Sequence, residues 1–284
     1  MCSLSIDLPE DFSRKLASGL KILEKVKVAV IGGTGFKGFF KNSKQLRLGT
    51  PYGIAPPLSI GRIDKKEVAF LPRHGLNHSA PPHKINYRAN IYALYKMGVE
   101  RIIAINAVGA INRDFKPGDI IIPHDFIDFT KLRHETFYDE APVTHVDFSQ
   151  PYCPELRKIL IENSKKYGLH VWDRAVLVCT EGPRFETPAE IEMFRRLGCD
   201  IVGMTSVPEA VLARELEMCY VALCFVSNMA AGIQEQLTPH EVSKVSEKIM
   251  PKLEQVLMEA VESLPIQREG KCPCTNALRD ARIK

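Results

Sequence analysis

No segment of this chain gathers its lysines and arginines into a stripe, and a formal net charge of +4 over 284 residues is mild. Nucleic-acid binding is therefore not expected, because such sites concentrate basic residues on one face. No uninterrupted apolar run reaches the length that spans a bilayer. The opening "MCSLSIDLPEDFSRKL" carries early acidic residues and lacks the apolar centre of a secretion signal, so the expected location is cytoplasmic. There is no G-x-S-x-G elbow, which removes the nucleophile a serine hydrolase needs. His74, His78 and His83 are separated by Gly75 and by Pro81-Pro82, with no carboxylate between them, so no metal is expected there.

What remains is an ordinary soluble composition, 45% hydrophobic and 25% charged, with enough apolar residues for a substantial core. Apolar runs predict strands at 26–31, 101–105, 119–123, 175–179, 200–204 and 219–226. Three- and four-residue spacing predicts helices at 11–24, 84–97, 154–167, 188–197, 207–217 and 239–264, the last broken or kinked at Pro251. The alternation implies an α/β fold with a largely parallel sheet covered on both faces. No linker divides it, so one domain is expected. Six of the eight cysteines are dispersed, several inside apolar strands (Cys179, Cys219, Cys224), and read as buried free thiols. Cys272-Pro-Cys274 stands apart from them.

The run "VKVAVIGGTGFKGFF" spells G-x-G-x-x-G at Gly33, Gly35 and Gly38, yet residues 39–63 contain no Asp or Glu to take a ribose. A triphosphate loop fails as well, because Phe39 and Phe40 stand where Lys and Ser/Thr belong. The loop is either a plain turn or a nest of backbone N–H groups, with the Thr34 hydroxyl added, for a small anion. Downstream, "LPRHGLNH" supplies Arg73, a permanently charged fork, and His74, a donor when suitably protonated. "INAVGAIN" ends a strand with Asn106-Ala107 and Gly109, and "GMTSVPEA" ends another with Thr205 and Ser206. In open α/β sheets ligands collect at such carboxyl ends, and this set suits inorganic phosphate.

These pieces, together with "NYRANIYAL", "PGDIIIPHDFIDFT", "EGPRFET" and "SNMAAG", resemble in content and order the purine nucleoside phosphorylase and methylthioadenosine phosphorylase family. The likeness runs from about Val26 to Leu264 and is closest in kind to 6-oxopurine nucleoside phosphorylases. It implies a single-domain nucleoside phosphorylase fold, a mixed central sheet flanked by helices, spanning 26–265. An N-terminal helical extension (1–25) and a C-terminal tail (266–284) complete the expected organisation. It also implies a homotrimer or dimer of trimers, no cofactor, and phosphate as a substrate in purine salvage. By resemblance, Thr34, Arg73, His74, Asn106, Ala107 and Thr205 bind phosphate. Met204 lies under the ribose, Phe185 and Glu186 contact the base, and Asn228 faces the purine N7 and 6-substituent. His145 is lent across the trimer interface, and His240 stands near the 5′-hydroxyl.

Phosphorolysis builds positive charge on the ribosyl ring and negative charge on the leaving purine, so anion binding and hydrogen bonds to the base serve the transition state. A 6-oxopurine presents an N1–H donor and an O6 acceptor, which ionised Glu186 and the Asn228 amide complement. Mismatched buried polar groups cost about 1–3 kcal/mol apiece, so 6-amino substrates are expected to be disfavoured. Ala230, where aminopurine-type relatives often carry an acid, points the same way. The alternative is a 5′-methylthioadenosine or 5′-methylthioinosine phosphorylase, since "PRHG" and "PHDFIDFT" look closer to that branch. Asp125 and Asp128 read as solvated loop acids. The Cys272 and Cys274 pair resembles the tail of some phosphorylases from hot environments, either as a strained disulfide or as two free thiols.

Overall fold

The computed structural model describes residues 26–33, 36, 40, 43–265, 267–268 and 272–282, apart from the Pro239 side chain; the His240 side chain, in the first turn of the last helix, is exposed. The helix expected at 11–24 and the Thr34 hydroxyl lie outside the described residues. β1 (Val28–Gly32) is followed by β2 (Lys44–Leu46), a small hairpin of β3 (Gly49–Thr50) and β4 (Gly53–Ile54), then β5 (Leu58–Ile63) and β6 (Lys66–Pro72). Next come helix α1 (Tyr87–Lys96), β7 (Arg101–Ala110), β8 (Ile120–Ile121) and β9 (Asp125–Phe129). The second half runs α2 (Pro154–Lys166), β10 (Val171–Trp172), β11 (Val176–Thr180), α3 (Pro188–Arg196), β12 (Ile201–Gly203), α4 (Ser206–Glu215), β13 (Cys219–Met229) and α5 (Pro239–Ser263).

The sheet is mixed. Its centre, in the order β13, β7, β1, β6, is parallel, as the alternation of strands and helices predicts. Antiparallel pairing enters with β5 and β2 on one side and β8 on the other. Sequence patterning missed β5 because Ser59, Gly61 and Arg62 interrupt its apolar run, β6 because Lys66 and Glu67 leave only the short run 68–71, and β2 and β10 because they are only a few residues long. Asp125 and Asp128 sit on β9 rather than on a loop, although both are exposed as expected.

β7 outgrows its predicted length and serves two sets of neighbours. Its first half pairs with β1 through Ala104, and its end pairs antiparallel with β12 at Gly109 and Ala110. Between those ladders one edge of β7 is open, and that opening is where the site forms. Packing on the two faces fixes the rest. α1 and α4 bury Ile91, Leu94, Met97, Val207 and Leu212 on one side, and α2 and α5 bury Leu156, Leu160, Leu253 and Leu257 on the other.

Of the break or kink expected at Pro251, the break does not occur: α5 runs on through it. Proline forfeits one backbone bond at a cost of about 3 kcal/mol. The buried Leu253, Val256, Leu257 and Ala260 offset it, each fully buried apolar side chain contributing roughly 1.5–3 kcal/mol for a residue of leucine size. A capping box of Thr238 and Glu241 starts this helix, so His240 is not its cap.

Candidate active site

A cleft of about 840 Å³ opens at the carboxyl ends of the central strands. Arg73, His74, Asn106, Ala107 and Thr205 line it, as do Phe185, Glu186, Met204, Asn228 and Ala230. The structure thus gathers around one space the predicted residues of the strand ends and of the "EGPRFET" loop. Leu237, Val242 and Ser243, from the start of α5 and the loop before it, line the same cleft. His145 does not. It borders a separate surface depression with Asp147 and Arg214, and its backbone N–H donates to Ala281 O at 2.7 Å.

Arg73 follows β6, and its backbone N–H donates to Gly32 O at the end of β1, 3.0 Å away. Its guanidinium is buried rather than turned to solvent. Nε and Nη2 donate to the two carboxylate oxygens of Glu209 at 2.5 and 2.8 Å, and Nη1 donates to Ile105 O at 2.7 Å. Burial alone would lower the guanidinium pKa, but the Glu209 carboxylate more than reverses this, so Arg73 stays charged. Three of its five N–H bonds are used, leaving one on each terminal nitrogen. The Tyr220 hydroxyl also donates to Glu209, at 2.8 Å. Gly33 answers part of the glycine-loop question: a Cβ there would stand 2.6 Å from both Arg73 Nη1 and Ile105 O. The residue is glycine because the guanidinium passes directly over the backbone.

Ile105 O reaches Arg73 across the open edge of β7. Backbone groups alternate in direction along a strand, so Ala107, two residues on, presents its N–H to the same edge. Asn106 is pinned between Ala104 O, to which its amide donates at 3.0 Å, and the Thr205 hydroxyl, which donates to its oxygen at 3.2 Å. His74 differs from the sequence expectation of a donor. Its Nδ1 lies 2.9 Å from Ala80 O, and a carbonyl only accepts, so the proton sits on Nδ1. Burial and then the Arg73 charge hold its pKa down to about 4, which leaves Nε2 a bare acceptor at neutral pH. The loop that follows is left-handed at Gly75, Asn77 and His78, and it stacks the His78 ring on His74 with centroids 4.3 Å apart. Such backbone is costly and clusters where function requires it.

The other end of the cleft carries Glu186 and Asn228. Glu186 accepts from the Thr180 hydroxyl at 2.6 Å. Burial raises its pKa above the ordinary carboxylate value, against the opposing pull of that hydroxyl. Asn228 follows a bulge in β13, where the register against β7 slips between Val226 and Asn228. A bulge re-aims the side chains beyond it. The Asn228 amide orientation is settled by Met229 O at 2.9 Å, because only the NH₂ can face a carbonyl. Its oxygen lies 2.7 Å from the Ser227 hydroxyl. The second N–H of Asn228 is therefore left for the cleft. Gly182, at φ 65°, lies against Met204, where a Cβ would meet Sδ at 2.6 Å.

Three residues that sequence reading missed hold this wall together. Glu209 lay inside "GMTSVPEA", and the available signal was a lone acid in an otherwise small and apolar helical run. Tyr220 sat in a strand that read simply as core. The buried Arg133 donates to the Tyr87 hydroxyl and to the carbonyls of Met204, Thr180 and Glu181, tying the loop under Met204 to α1. The capping box of Thr187 and Glu190 fixes the segment carrying Phe185 and Glu186 at the head of α3. No segment of the described helices is long and apolar enough to cross a membrane.

Residues 27–262 match the phosphorylase superfamily. The 6-oxopurine nucleoside phosphorylase of Pyrococcus furiosus is 49% identical over 264 residues, which covers 90% of this chain and 98% of that protein. The S-methyl-5′-thioadenosine phosphorylase of Thermofilum pendens is 45% identical, covering 92% and 100%. A probable S-methyl-5′-thioinosine phosphorylase of Methanopyrus kandleri is 49% identical, covering 90% and 99%. Among solved structures, the Schistosoma mansoni methylthioadenosine phosphorylase in complex with adenine superposes with a TM-score of 0.86 at 31% identity, over 91% of this chain and 99% of that one. With the expected fold in place and the likeness spanning nearly its whole length, the chain belongs to the phosphorylase superfamily, as a nucleoside phosphorylase of the purine nucleoside and methylthioadenosine branch.

Proposed function

We propose that the enzyme cleaves 6-oxopurine nucleosides, inosine and guanosine and their deoxy forms, with phosphate, releasing the free base and ribose 1-phosphate. The observation that carries the reading is the Asn228 amide. Met229 O fixes its orientation, so its remaining N–H donates to an O6 or N7 acceptor. Glu186, ionised, accepts from the purine N1–H on the same side of the cleft. Phosphate is held by the two remaining Arg73 N–H groups, the Ala107 N–H, Asn106, Thr205 and the Thr34 hydroxyl. His74 Nε2 takes a proton-bearing phosphate oxygen. Met204 supports the ribose and Phe185 covers the base. The reaction proceeds without metal or organic cofactor. His145 serves the neighbouring subunit of a homotrimer.

A second reading concerns the 5′ position alone. Leu237 and Val242 give the α5 end of the cleft apolar surface suited to a methylthio group, whereas His240, exposed in the first turn of α5 and outside the cleft lining, meets a hydroxyl only if it turns inward. A relative of comparable similarity is named for 5′-thioinosine cleavage, which combines an oxopurine with a thioether. The test is turnover of four nucleosides, inosine and adenosine each with hydroxyl or methylthio at C5′, with and without phosphate. The proposal expects phosphate-dependent release of hypoxanthine, with inosine favoured over adenosine by at least about tenfold. Preferential cleavage of the 6-amino pair overturns it, and equal rates without phosphate overturn phosphorolysis itself.

A further inference from the structure

Away from the cleft, the amino end of β13 and the start of α2 meet the C-terminal segment at a cluster of four cysteines. Cys153 is the N-cap of α2, Cys219 opens β13, and Cys272 and Cys274 flank Pro273. All four are buried, and their sulfurs lie within 4.8 Å of one another. Cys219 and Cys272 Sγ are 3.5 Å apart. Four thiolates around zinc at about 2.3 Å form a tetrahedron whose edges are about 3.8 Å. The cluster fits that tetrahedron after shifts of about half an ångström per sulfur, within reach of small side-chain rotations.

A second observation, independent of the sulfurs, concerns charge. Arg101 opens β7 in direct register with Cys219 on the adjacent parallel strand, so the two side chains leave the sheet side by side on one face. Its guanidinium is fully buried, and none of its three nitrogens has a hydrogen-bond partner. Arg268 Nη1 stands 3.9 Å from Cys219 Sγ as well. A buried cation without an anion is expensive, and native interiors supply one. Arg101 has no hydrogen-bonded anion.

We propose that Cys153, Cys219, Cys272 and Cys274 form a tetrathiolate site for a zinc-type divalent ion. Loading replaces four S–H bonds with four S–Zn bonds and releases four protons to solvent, with no change in oxidation state. The product carries a net charge of −2, which Arg101 and, shared with its Glu100 partner, Arg268 offset. Pairing the sulfurs as disulfides would need an oxidant and would leave Arg101 unanswered. The sequence showed only the Cys272 and Cys274 half of the site, because Cys219 is 53 positions from Cys272. The ion is structural: it pins the C-terminal segment to the sheet, and that segment in turn holds the strand around His145 through Thr144 and Arg282.

The experiment purifies the full chain under reductant from zinc-supplemented cells and measures metal by elemental mass spectrometry. A sample stripped by chelator is then reloaded with Co²⁺. The expected result is one zinc per chain and, with cobalt, the thiolate charge-transfer and visible bands of a tetrahedral sulfur site. A Cys272→Ser, Cys274→Ser variant loses the metal and the bands, and Cys199→Ser, a buried cysteine elsewhere, keeps both. Arg101→Met lowers affinity for Co²⁺ at least tenfold while raising the melting temperature of the metal-free protein. Metal retained by the double variant, or wild-type protein that takes up neither ion, overturns the proposal. So does recovery of the four sulfurs as intramolecular disulfides from freshly alkylated cells. The wild-type cobalt spectrum decides the matter even if a variant fails to fold.

Discussion

The two ends of the central sheet each bury an arginine, and they treat it in opposite ways. At the carboxyl end, Arg73 meets the Glu209 carboxylate and the Ile105 carbonyl. At the amino end, Arg101 meets no acceptor at all. The contrast separates two uses of a buried cation. Arg73 is neutralised within the chain, so it offers an incoming anion geometry and two directed N–H bonds rather than a bare charge. A preset fork of this kind reorganises little when the ligand arrives, which is what transition-state stabilisation requires. Arg101 has charge without directed partners, and that suits an extended anionic centre.

The largest effect expected at the neutralised end is that of Glu209→Gln. Breaking a buried pair from one side costs about 3–5 kcal/mol, read as a loss in chemical or thermal unfolding. The same substitution removes the compensation of Arg73, so inhibition by sulfate tightens even as the fold weakens. If sulfate binds more weakly instead, Glu209 serves to orient Arg73, and the neutralisation argument is wrong.

The next effect belongs to His74. Its pKa falls from the ordinary 6.5 to about 4 in the folded chain, so the unfolded chain binds the extra proton first. Stability is then constant in this respect above pH 6.5 and declines as pH falls towards 4, by up to roughly 3 kcal/mol. His74→Gln, whose amide can still donate to Ala80 O, should remove that decline from a series of unfolding curves across the same pH range. A decline of unchanged size in the variant assigns the acid sensitivity to other groups.

Glu186 should give the smallest of the three. Its raised pKa means that the ionised form, which the proposed contact with N1–H requires, is lost on acidification earlier than for an ordinary carboxylate of 4.5. The acid limb of kcat/KM for inosine therefore lies above that value and is absent in Glu186→Gln. That variant should also lose about 1–3 kcal/mol of transition-state binding, a factor of ten or more in kcat/KM. An unchanged limb in the variant would move the acid dependence to another group, with His74 the nearest alternative.

How much of this was visible in the sequence follows from distance along the chain. Strand-end motifs such as "NAVGA" and the Arg73-His74 pair are local, and both could be read directly. The same holds for helices that carry their own caps, such as α3 and α5. The partner of Arg73 is 136 positions away, and nothing in its surroundings marks Glu209 except a charge where small residues prevail. The His74 tautomer depends on a carbonyl that arrives only when the loop folds back at Ala80. β5 mixes Ser59, Gly61 and Arg62 among its apolar residues, and β6 has only the short apolar run 68–71 after Lys66 and Glu67, so both patterns were faint. Of the four clustered cysteines, Cys153 and Cys219 looked like unremarkable small hydrophobes until the fold put them beside Cys272 and Cys274.

The slip of one position in β13 just before Asn228 has a consequence for how base preference could change over time. Everything upstream of Ser227 answers to the interior, while the residues after it face the ligand on their own schedule. A lineage can therefore exchange the carboxamide for an acid without disturbing the strand that anchors it. The bulge works as a joint between a buried scaffold and an adjustable fingertip.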